Sequence, residues 1–428
     1  MTTALLTDHY ELTMLQAALR DGTAHRRSVF ELFPRRLPDG RRYGVVAGVG
    51  RLLDAIETFR FDDEALAYMS DHEVVDDPTL DWLANFRFEG DAVGYPDGEV
   101  YFPGSPLLTV EGTFGESVIL ETIALSILNH DSAIASAASR MVTAAGDRPC
   151  IEMGSRRTHE RAAVASAHAA YIAGFSATSN LEAGRVHGIP TTGTSAHSFT
   201  LLHDNERDAF TSQVESLGRG TTLLVDTYDI ESAVRTAIDI AGTELGAVRI
   251  DSGDLTQLAG QVRRQLDDLG ATKTKIVVTS DLDEHAIAAL AAAPADGYGV
   301  GTSLVTGSGH PTCGFVYKLV ARETDGHLVG VAKQSKDKLS IGGRKYAWRR
   351  TTSRGIAAQE VIGIGQETEP TSARELLVPL IQAGERVHHE TLETARERRR
   401  TSVAELPPHA RQLSHGEPAI ETTYVKEA

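Results

Sequence analysis

GAVRIDSGD (residues 246–254), TKIVVTSD (274–281) and DGYGVGTS (296–303) decide the fold of this chain. Each segment begins with a short run of mainly apolar residues and ends at a polar or glycine-rich cluster. Runs of this composition are typical of strands that are buried on both faces of a sheet. The same pattern occurs in four earlier segments, PCIEMGSRR (149–157), AGFSATSN (173–180), GIPTTGTSAH (188–197) and TTLLVDTYD (221–229). The repetition predicts seven strands between residues 149 and 305.

Helical patterns follow most of these predicted strands. ESAVRTAIDIA comes after Asp229, LTQLAGQVRRQLDDLG after Asp254 and DEHAIAALAAA after Leu282. A repeated order of strand, polar cluster and helix is the signature of a parallel α/β sheet. We therefore predict an α/β fold with an irregular TIM-like α/β barrel. The polar clusters would share the rim on which such barrels carry their chemistry.

Three regions that differ in their pattern of apolar and polar residues predict the domain organisation. Residues 1–120 combine an amphipathic start with alternating strand patterns, which predicts an N-terminal α/β sandwich domain. ESVILETIALSILNHDSAIASAASRM (116–141) has apolar residues at helical spacing and predicts a long helix that leads into the repeats. We place the barrel and the active site at residues 121–320. Strand-like runs between residues 327 and 350, followed by helices, predict a C-terminal segment (321–428) that packs back on the N-terminal domain.

The composition favours a cytosolic enzyme. A chain of 428 residues with 41% hydrophobic content can bury a large core. Its two cysteines, Cys150 and Cys313, cannot form a disulfide framework, which favours a reducing compartment. The first residues lack the pattern of a secretory signal, and no run of about 18 apolar residues occurs. We therefore predict a cytoplasmic protein that does not span a membrane.

The net charge of −17 argues against nucleic acid as a partner, because affinity for polyanions comes largely from Lys and Arg. Any phosphorylated ligand must be held by a local basic site.

VRIDSGD (248–254) is a candidate site for an anionic ligand. Arg249 and Asp251 are two residues apart, so both face the same side of a strand, and in a barrel that side can be the lumen. A buried arginine beside an aspartate without a function is a costly way to build a core. A carboxylate ligand explains Arg249 better, because guanidinium binds carboxylate bidentately. The Asp-Ser-Gly triplet by itself also fits a turn and a helix cap.

GTSAH (193–197) predicts a loop with a functional histidine. Gly193 and Thr194 suit a sharp turn that presents backbone N–H groups to an anion, and His197 would project over that anion. A lone histidine is more often structural than catalytic. Asp226, at the end of the following predicted strand, changes this estimate, because a carboxylate can orient the imidazole and fix which nitrogen reacts.

Two further clusters are candidate phosphate sites. Gly301 and Thr302 follow a predicted strand, where backbone N–H groups can bind phosphate oxygens. The pattern lacks the Lys-Ser/Thr pair of a P-loop and is weak alone, but phosphate sites are common at late strands of α/β barrels. Arg156 and Arg157 fall where we expect a helix to begin, and basic residues there predict a compensating anion. Two arginines that only reach solvent are the alternative.

Arginines, carboxylates, a histidine and a glycine-rich loop on one rim fit transfer chemistry on a multiply phosphorylated substrate. The carboxylates could also hold Mg²⁺, which binds proteins through one or two carboxylates together with ligand phosphates. The residues alone lead no further than this.

Over nearly its whole length the chain resembles nicotinate phosphoribosyltransferases. The family motifs occur in family order as LLTDHYELTM (5–14), ETIALSILN (121–129), GSRR (154–157), ATSN (177–180), GTSAHSF (193–199), VDTYD (225–229), VRIDSGD (248–254) and GVGTSLV (299–305). The resemblance implies formation of nicotinate mononucleotide and pyrophosphate from nicotinate and phosphoribosyl pyrophosphate, coupled to ATP hydrolysis, in NAD salvage. It also implies a type II phosphoribosyltransferase fold and a homodimer with shared active sites.

The resemblance also implies roles for individual residues. His197 matches the histidine that ATP phosphorylates, and Asp226 is its expected orienting partner. Arg249 and Thr194 match contacts to nicotinate, and Asp251 is a plausible partner for a hydroxyl group or a metal ion.

Further matches complete the expected site. Tyr10 matches an aromatic residue that the neighbouring subunit contributes to the pyridine site, and Asp8 lies at a functional position beside it. Ser179 stands where the related nicotinamide enzyme carries an aspartate, and a hydroxyl group that donates to a carboxylate favours nicotinate over nicotinamide.

The remaining expected contacts are to the phosphoribosyl part of the substrate. Arg156 matches an arginine near the ribosyl and pyrophosphate groups, while Gly301 and Thr302 match the loop for the 5-phosphate. Other expected substrate contacts, whose roles stay open, are Gly193, Arg157, Ser280 and Asp281.

Three alternatives remain. A nicotinamide or quinolinate phosphoribosyltransferase would share the barrel but surround the ring substituent with other groups. A non-catalytic nucleotide-binding homologue would be expected to lose the histidine or the arginine, and this chain retains both. An unrelated barrel lyase would need a Schiff-base lysine at a strand end, but Lys273 and Lys275 precede their apolar run and so lie at the other rim.

Overall fold

The computed structural model describes residues 2–333, 341–365 and 373–426. The chain divides into two compact units: unit 1 comprises residues 1–136 and 310–428, and unit 2 comprises residues 137–309. These bounds differ from the domain bounds expected at residues 120/121 and 320/321. The first bound falls inside a helix that starts at Glu121 and ends at Ala145. A helical pattern continues across such a bound, so the pattern does not reveal it.

The helices are α1 (His9–Arg20), α2 (Val49–Glu57), α3 (Asp63–Asp71), α4 (Asp77–Ala84), α5 (Phe114–Val118), α6 (Glu121–Ala145), α7 (Glu160–Ile172), α8 (Leu181–His187), α9 (His197–Leu202), α10 (Glu206–Leu217), α11 (Ile230–Ala241), α12 (Leu255–Asp268), α13 (Glu284–Ala289), α14 (Thr302–Val305) and α15 (Leu392–Ala404).

The strands are β1 (Arg27–Pro34), β2 (Gly44–Val45), β3 (Asp91–Gly94), β4 (Val100–Tyr101), β5 (Leu108–Thr113), β6 (Cys150–Glu152), β7 (Ala177–Thr178), β8 (Thr222–Leu224), β9 (Ala247–Ile250), β10 (Lys275–Val278), β11 (Gly297–Val300), β12 (Phe315–Thr324), β13 (His327–Gly330), β14 (Lys345–Thr351), β15 (Ala357–Ile364), β16 (Ala373–Glu375), β17 (Val378–Gln382), β18 (Glu385–Arg386) and β19 (Glu421–Lys426).

Unit 2 is built on an all-parallel sheet with the strand order β7-β6-β11-β10-β9-β8. A parallel bridge between Thr178 and Thr191 joins the GIPTT segment to the edge strand β7. All seven predicted strand segments therefore belong to one sheet, and their carboxyl ends share one rim. Within the described residues no strand pairing connects β8 with the GIPTT segment, so the barrel is open at this point.

Buried apolar side chains and helix caps explain why these segments form strands followed by helices. Leu223, Val248, Ile276 and Val300 are fully buried in the middle of the sheet. The clusters that end the strands contain helix caps as well as site residues. The Asp229 carboxylate, for example, accepts from the backbone N–H of Ser232 at 2.9 Å and caps α11. Asn180 and Asp254 cap α8 and α12 in the same way.

The GSRR segment corrects one expectation. A 3₁₀ turn contains residues 155–157, and α7 begins only at Glu160, with His159 as its cap. Arg156 and Arg157 therefore do not lie in the first turn of a helix. The argument that they oppose a helix dipole does not apply, and their importance rests on the cavity described below.

Unit 1 contains strands from both ends of the chain. Its largest sheet is antiparallel, with the order β13-β12-β1-β5-β3-β17-β18. The central strand β1 pairs with β12 on one side and with β5 on the other. The rings of Phe30 and Tyr317, from β1 and β12, stack with centroids 5.0 Å apart in the core. Of the strand-like runs expected between residues 327 and 350, β13 and β14 are observed, while residues 334–340 lie outside the described residues. The expectation that helices follow is wrong for most of the described residues beyond 350, which form β15 to β18, α15 and β19.

One helical stretch, Phe114–Ala145, is long and apolar enough to cross a membrane by length and composition. Two thirds of its most apolar window is buried inside the protein (67%), as is common for a core helix, so it is weak evidence for a membrane span.

Candidate active site

A cavity of about 430 Å³ lies at the carboxyl rim of the parallel sheet in unit 2. Most of the residues singled out from the sequence line it, namely Arg156, Arg157, Ser179, Gly193, Thr194, His197, Arg249, Asp251, Ser280, Asp281, Gly301 and Thr302. Met153, Thr192, Ala196 and Thr279 also line the cavity and were not expected. Asp8 and Tyr10 belong to unit 1 and are not among its lining residues.

Arg249 is half-buried and lacks a full set of partners. Its guanidinium donates a hydrogen bond to the Thr194 hydroxyl, while its Nε is buried and has no hydrogen-bond partner within the described residues. Burial lowers the pKa of Arg249, and the nearby carboxylates of Asp251 and Asp226 oppose that effect. In the described ranges Arg249 forms no ion pair within 4.0 Å. A partly desolvated guanidinium that lines a cavity and has unused N–H donors is suited to bind an anion.

His197 is held by Thr227 rather than by the expected Asp226. Its Nδ1 lies 3.1 Å from the Thr227 hydroxyl, whereas its Nε2 lies 4.0 Å from Asp226 Oδ1, beyond hydrogen-bond distance. Asp226 therefore faces the ring without a hydrogen bond to it, and its expected role as the orienting partner stays a prediction. When Thr227 accepts from Nδ1–H, Nε2 carries the free lone pair. The side chain of His197 is 41% exposed, so this nitrogen is accessible.

Asp226 instead connects the ends of the neighbouring strands β8 and β9 next to the histidine. Its side chain is 1% exposed, and its Oδ2 accepts from the backbone N–H of Asp251 at 2.9 Å and from the Ser252 hydroxyl at 2.7 Å. Asp251 Oδ1 accepts in turn from the Thr279 hydroxyl at 2.6 Å. These bonds join the ends of β8, β9 and β10. The other oxygen of each carboxylate faces Nε2 of His197: Asp226 Oδ1 at 4.0 Å and Asp251 Oδ2 at 3.9 Å. Asp226 Oδ1 is buried and has no hydrogen-bond partner among the described residues.

Glu152 performs a similar task on the other side of the rim and was missed by sequence reasoning. It is fully buried, and its carboxylate accepts from the Thr178 hydroxyl and from the backbone N–H of Gly154. Burial raises its pKa, and these hydrogen bonds counteract the rise. The bonds connect β6 with β7 and so place Ser179 and Arg156. A lone glutamate inside the apolar run CIEM was the available signal.

Close approach of backbone explains the glycine at position 299. A Cβ on Gly299 would lie 2.5 Å from Thr279 Cγ2 and 2.7 Å from Met153 Sδ, so only glycine fits between these neighbours. At Gly193 a Cβ would meet no atom within 4 Å, so packing does not demand glycine there. Ser280 has a φ of 142°, a strained conformation for a non-glycine residue at the cavity wall.

Gly301 and Thr302 line the cavity where β11 ends and α14 begins. This helix has only 4 residues, so its dipole contributes little. An anion there would be held by individual backbone N–H groups and by the Thr302 hydroxyl. The fold, with its parallel sheet, a cavity at the carboxyl rim and a second unit made from both chain ends, is that of a type II phosphoribosyltransferase.

Comparison with known proteins identifies the family. Residues 5–129 match the model of the nicotinate phosphoribosyltransferase (NAPRTase) N-terminal domain, and residues 149–354 match that of the nicotinate phosphoribosyltransferase (NAPRTase) family. The chain belongs to the nicotinate phosphoribosyltransferase family, as its motifs predicted.

Individual relatives agree with this result. The chain is 57% identical to a nicotinate phosphoribosyltransferase of Mycobacterium tuberculosis, over 98% of this chain and 94% of the relative. It is 39% identical to the nicotinate phosphoribosyltransferase of Bacillus subtilis, over 81% and 73% of the two chains. The crystal structure of human nicotinic acid phosphoribosyltransferase matches with a TM-score of 0.84 at 25% identity and covers 98% of this chain and 97% of its own. The predicted fold class is thereby confirmed.

Proposed function

We propose that this protein transfers the phosphoribosyl group of phosphoribosyl pyrophosphate to nicotinate, which yields nicotinate mononucleotide and pyrophosphate. Membership of the family and the relative of 57% identity support this activity. The observation that carries the proposal is the half-buried guanidinium of Arg249, which lines the cavity without an ion-pair partner in the described ranges. A planar carboxylate such as that of nicotinate matches its two parallel N–H donors.

The pyridine ring needs little from the protein beyond correct placement. Arg249 and the Thr194 hydroxyl would bind the ring carboxylate, and the exposed Ser179 at the cavity wall can donate a further hydrogen bond. The ring nitrogen of nicotinate already has a free lone pair, so the reaction requires no general base. The nitrogen forms a bond to C1 of the ribose while the C1–oxygen bond to pyrophosphate breaks.

The phosphoribosyl substrate would lie along the arginine and glycine side of the cavity. Arg156 and Arg157 can neutralise the pyrophosphate that leaves, which is the main demand of an oxocarbenium-like transition state. The loop at Gly301 and Thr302 would bind the 5-phosphate. Asp281, which is exposed at the cavity wall, can accept hydrogen bonds from the ribose hydroxyls.

The carboxylates at the rim also fit a Mg²⁺ ion. Asp226 Oδ1, which is buried without a hydrogen-bond partner in the described ranges, and Asp251 Oδ2 lie 4.0 and 3.9 Å from His197 Nε2, so two hard oxygen donors are available beside the histidine. The described residues contain no cluster of three or more metal-binding side chains. Mg²⁺ usually binds through one or two carboxylates with water and phosphate oxygens, and does not require such a cluster. Bound there, the ion would neutralise phosphate charge.

We further propose that ATP drives the reaction through phosphorylation of His197. Its Nε2 would attack the γ-phosphorus of ATP, forming an N–P bond as the bond to ADP breaks. Water would later release phosphate from the histidine. The support is the exposed Nε2, the fixed Nδ1 and two carboxylates beside the reacting nitrogen. The added phosphate charge would change the electrostatics of the cavity during each cycle.

A homodimer with shared active sites would bring Tyr10 and Asp8 to the cavity of a partner copy. Tyr10 and Met14 lie one turn apart on α1 and are 46% and 37% exposed, and Leu6, just before the helix, is 61% exposed. Exposed apolar side chains grouped in this way are typical of an interface. Tyr10 of one copy would then stack on the pyridine ring bound by the other. We expect this enzyme to act in the cytoplasm, in NAD salvage.

The decisive experiment is an assay of the purified protein with nicotinate, nicotinamide and quinolinate, each with and without ATP and Mg²⁺. We expect mononucleotide only, or predominantly, from nicotinate, with ATP raising the yield. Preference for nicotinamide or quinolinate would replace the proposal by one of the related activities. Binding of nucleotide without any turnover would indicate a non-catalytic homologue.

A further inference from the structure

The motifs LLTDHYELTM (5–14) and ETIALSILN (121–129) do not line the cavity of unit 2 in their own chain, but they contact each other in unit 1. The link is Glu11, whose side chain is fully buried although its neighbour Tyr10 is 46% exposed. Burial raises the pKa of Glu11, and hydrogen bonds from Thr122 and Thr7 counteract the rise. A buried carboxylate is costly, and an apolar residue would be the simpler choice for packing.

Glu11 caps a helix other than its own. One carboxylate oxygen accepts from the backbone N–H of Thr122 at 3.0 Å and from the Thr122 hydroxyl, and the other accepts from the Thr7 hydroxyl. Thr122 lies in the first turn of α6, where backbone N–H groups lack intrahelical partners and negative charge is favoured. Glu11 therefore fixes the first turn of α1 on the first turn of α6.

Glu121, the residue before Thr122, interacts with the hydroxyl group of Tyr10. The Glu121 side chain is 13% exposed and also pairs with Lys318 at 3.6 Å. Partial burial and then the charges of Glu121, Glu11 and Asp8 raise the pKa of Tyr10 to about 12. The phenol therefore remains protonated beside the Glu121 carboxylate.

We propose that Glu11 and Glu121 are positioning residues for the reaction: Glu11 sets the start of α1 on the start of α6, and Glu121, which precedes Thr122 in that turn and interacts with Tyr10, limits the orientation in which the exposed ring faces the pyridine ring of nicotinate. The inference rests on the proposed function, in which Tyr10 contacts nicotinate bound to a second copy. A ring that is ordered before binding loses less conformational entropy when nicotinate arrives.

A matched control separates positioning from mere stability. Glu116 is another carboxylate of unit 1 that caps the start of a helix: it accepts from the backbone N–H and the hydroxyl of Thr113 and from the backbone N–H of Glu89 at 3.1 Å. It has as many donors as Glu11 but caps α5 and has no contact to Tyr10 among the interactions described. If Glu11 is only a cap, Glu11→Gln and Glu116→Gln should change the enzyme alike.

The first test compares steady-state kinetics and thermal unfolding of these two variants. We expect both to lower the Tm, but only Glu11→Gln to raise KM for nicotinate, by about fivefold, with KM for phosphoribosyl pyrophosphate unchanged. Equal nicotinate KM values in the two variants at similar Tm would overturn the role of Glu11.

The second test is a double-mutant cycle of Tyr10→Phe and Glu121→Leu, read as KM for nicotinate. Because both variants act on the same interaction between Tyr10 and Glu121, we expect each to raise KM by about tenfold and the double variant to raise it no further. Glu121→Gln, which keeps an acceptor, should restore most of the affinity. Independent, multiplicative effects of Tyr10→Phe and Glu121→Leu would refute the role of Glu121.

Tyr10→Ala distinguishes failure of this inference from failure of the proposed function. If Tyr10→Ala leaves KM for nicotinate unchanged while Arg249→Ala raises it, then the enzyme uses nicotinate but Tyr10 does not contact it, and the inference is wrong. If the parent protein forms no mononucleotide from nicotinate, the proposed function itself is wrong.

Discussion

His197 and Thr227 follow segments at opposite edges of the parallel sheet, yet His197 Nδ1 and Thr227 Oγ1 lie 3.1 Å apart. His197 follows the GIPTT segment beside β7, and Thr227 follows β8. The hydrogen bond between His197 and Thr227 therefore connects two edges of the sheet that are not paired through their backbones in the described residues. This contact fixes the ring of His197 and leaves Nε2 toward the cavity.

Replacement of Thr227 by valine should impair only the ATP-dependent half-reaction. Valine keeps the shape but removes the hydroxyl that holds Nδ1, so we expect the rate of His197 phosphorylation to fall about tenfold. The measurement is transfer of label from γ-labelled ATP to the protein. Thr211→Val is the matched control, because within the described part of the chain its hydroxyl donates to the Arg207 carbonyl on α10 at 2.8 Å and to no other group. An unchanged labelling rate in Thr227→Val would contradict the positioning by Thr227.

His197→Ala should abolish labelling by ATP and ATP-stimulated turnover, and leave a slow formation of mononucleotide that ATP does not affect. The substitution removes the nucleophile while the nicotinate and phosphoribosyl contacts remain. His203→Ala is the control in the same segment, since His203 Nδ1 lies 2.9 Å from the Phe199 carbonyl and outside the cavity lining. Persistent ATP coupling in His197→Ala would exclude the phosphohistidine.

Arg249→Ala should raise KM for nicotinate by about 100-fold, because a charge-assisted bidentate contact is lost. KM for phosphoribosyl pyrophosphate should change much less. Arg249→Lys should recover only part of the affinity, since an ammonium group lacks the planar pair of donors. Steady-state kinetics with each substrate varied in turn checks this prediction. A nicotinate KM within twofold of the parent would place the carboxylate elsewhere.

Ser179→Asp should shift the ratio of kcat/KM for nicotinamide over nicotinate by at least about tenfold toward the amide. An aspartate at the cavity wall would repel the ring carboxylate and accept from a carboxamide. Ser179→Ala, which adds no charge, should reduce activity with nicotinate without favouring the amide. Indifference of Ser179→Asp to the ring substituent would show that Ser179 lies away from that group.

Asp97 should make the protein less stable as the pH rises. This carboxyl group of unit 1 caps α2 through the backbone N–H groups of Val49 and Gly50 at 2.9 and 3.3 Å. Burial, as the main cause, raises its pKa from 3.8 to about 7. Between these values the folded chain retains a proton that the unfolded chain releases. The stability from this group is therefore complete at low pH and is lost as the pH rises toward 7.

The Asp97→Asn variant isolates this effect. Asparagine cannot ionise, so the variant should not lose this stability as the pH rises. We expect the unfolding free energy of the variant, relative to that of the parent, to be larger at pH 8 than at pH 5 by on the order of 2–4 kcal/mol. Thermal unfolding from pH 5 to 8 is the measurement. Parallel curves for the two proteins would mean that Asp97 does not titrate in this range.

Local patterns in the sequence determined the class of fold and the membership of the site. VRIDSGD and DGYGVGTS read as buried strands with polar ends because a strand that is covered on both faces must be apolar throughout. In a parallel sheet all carboxyl ends meet at one rim, so Arg249, His197, Asp251 and Thr302 could be assigned to one site without knowledge of the strand order. The motifs then identified the family.

Only the tertiary structure decided which side chains touch. The order of strands depends on packing between segments that are far apart in the chain, and periodicity contains no information about it. That order places Thr227 against Nδ1 of His197, and it sets Asp226 under the backbone of Asp251 rather than in a hydrogen bond with the ring. Tertiary packing also lets Glu152 connect β6 with β7 through the Thr178 hydroxyl, and it places Glu11 as a cap on α6. A hydrogen bond requires its two atoms to lie about 3 Å apart. Residue spacing fixes positions this closely only within one helix or strand. Between elements, the packing of the folded chain fixes them.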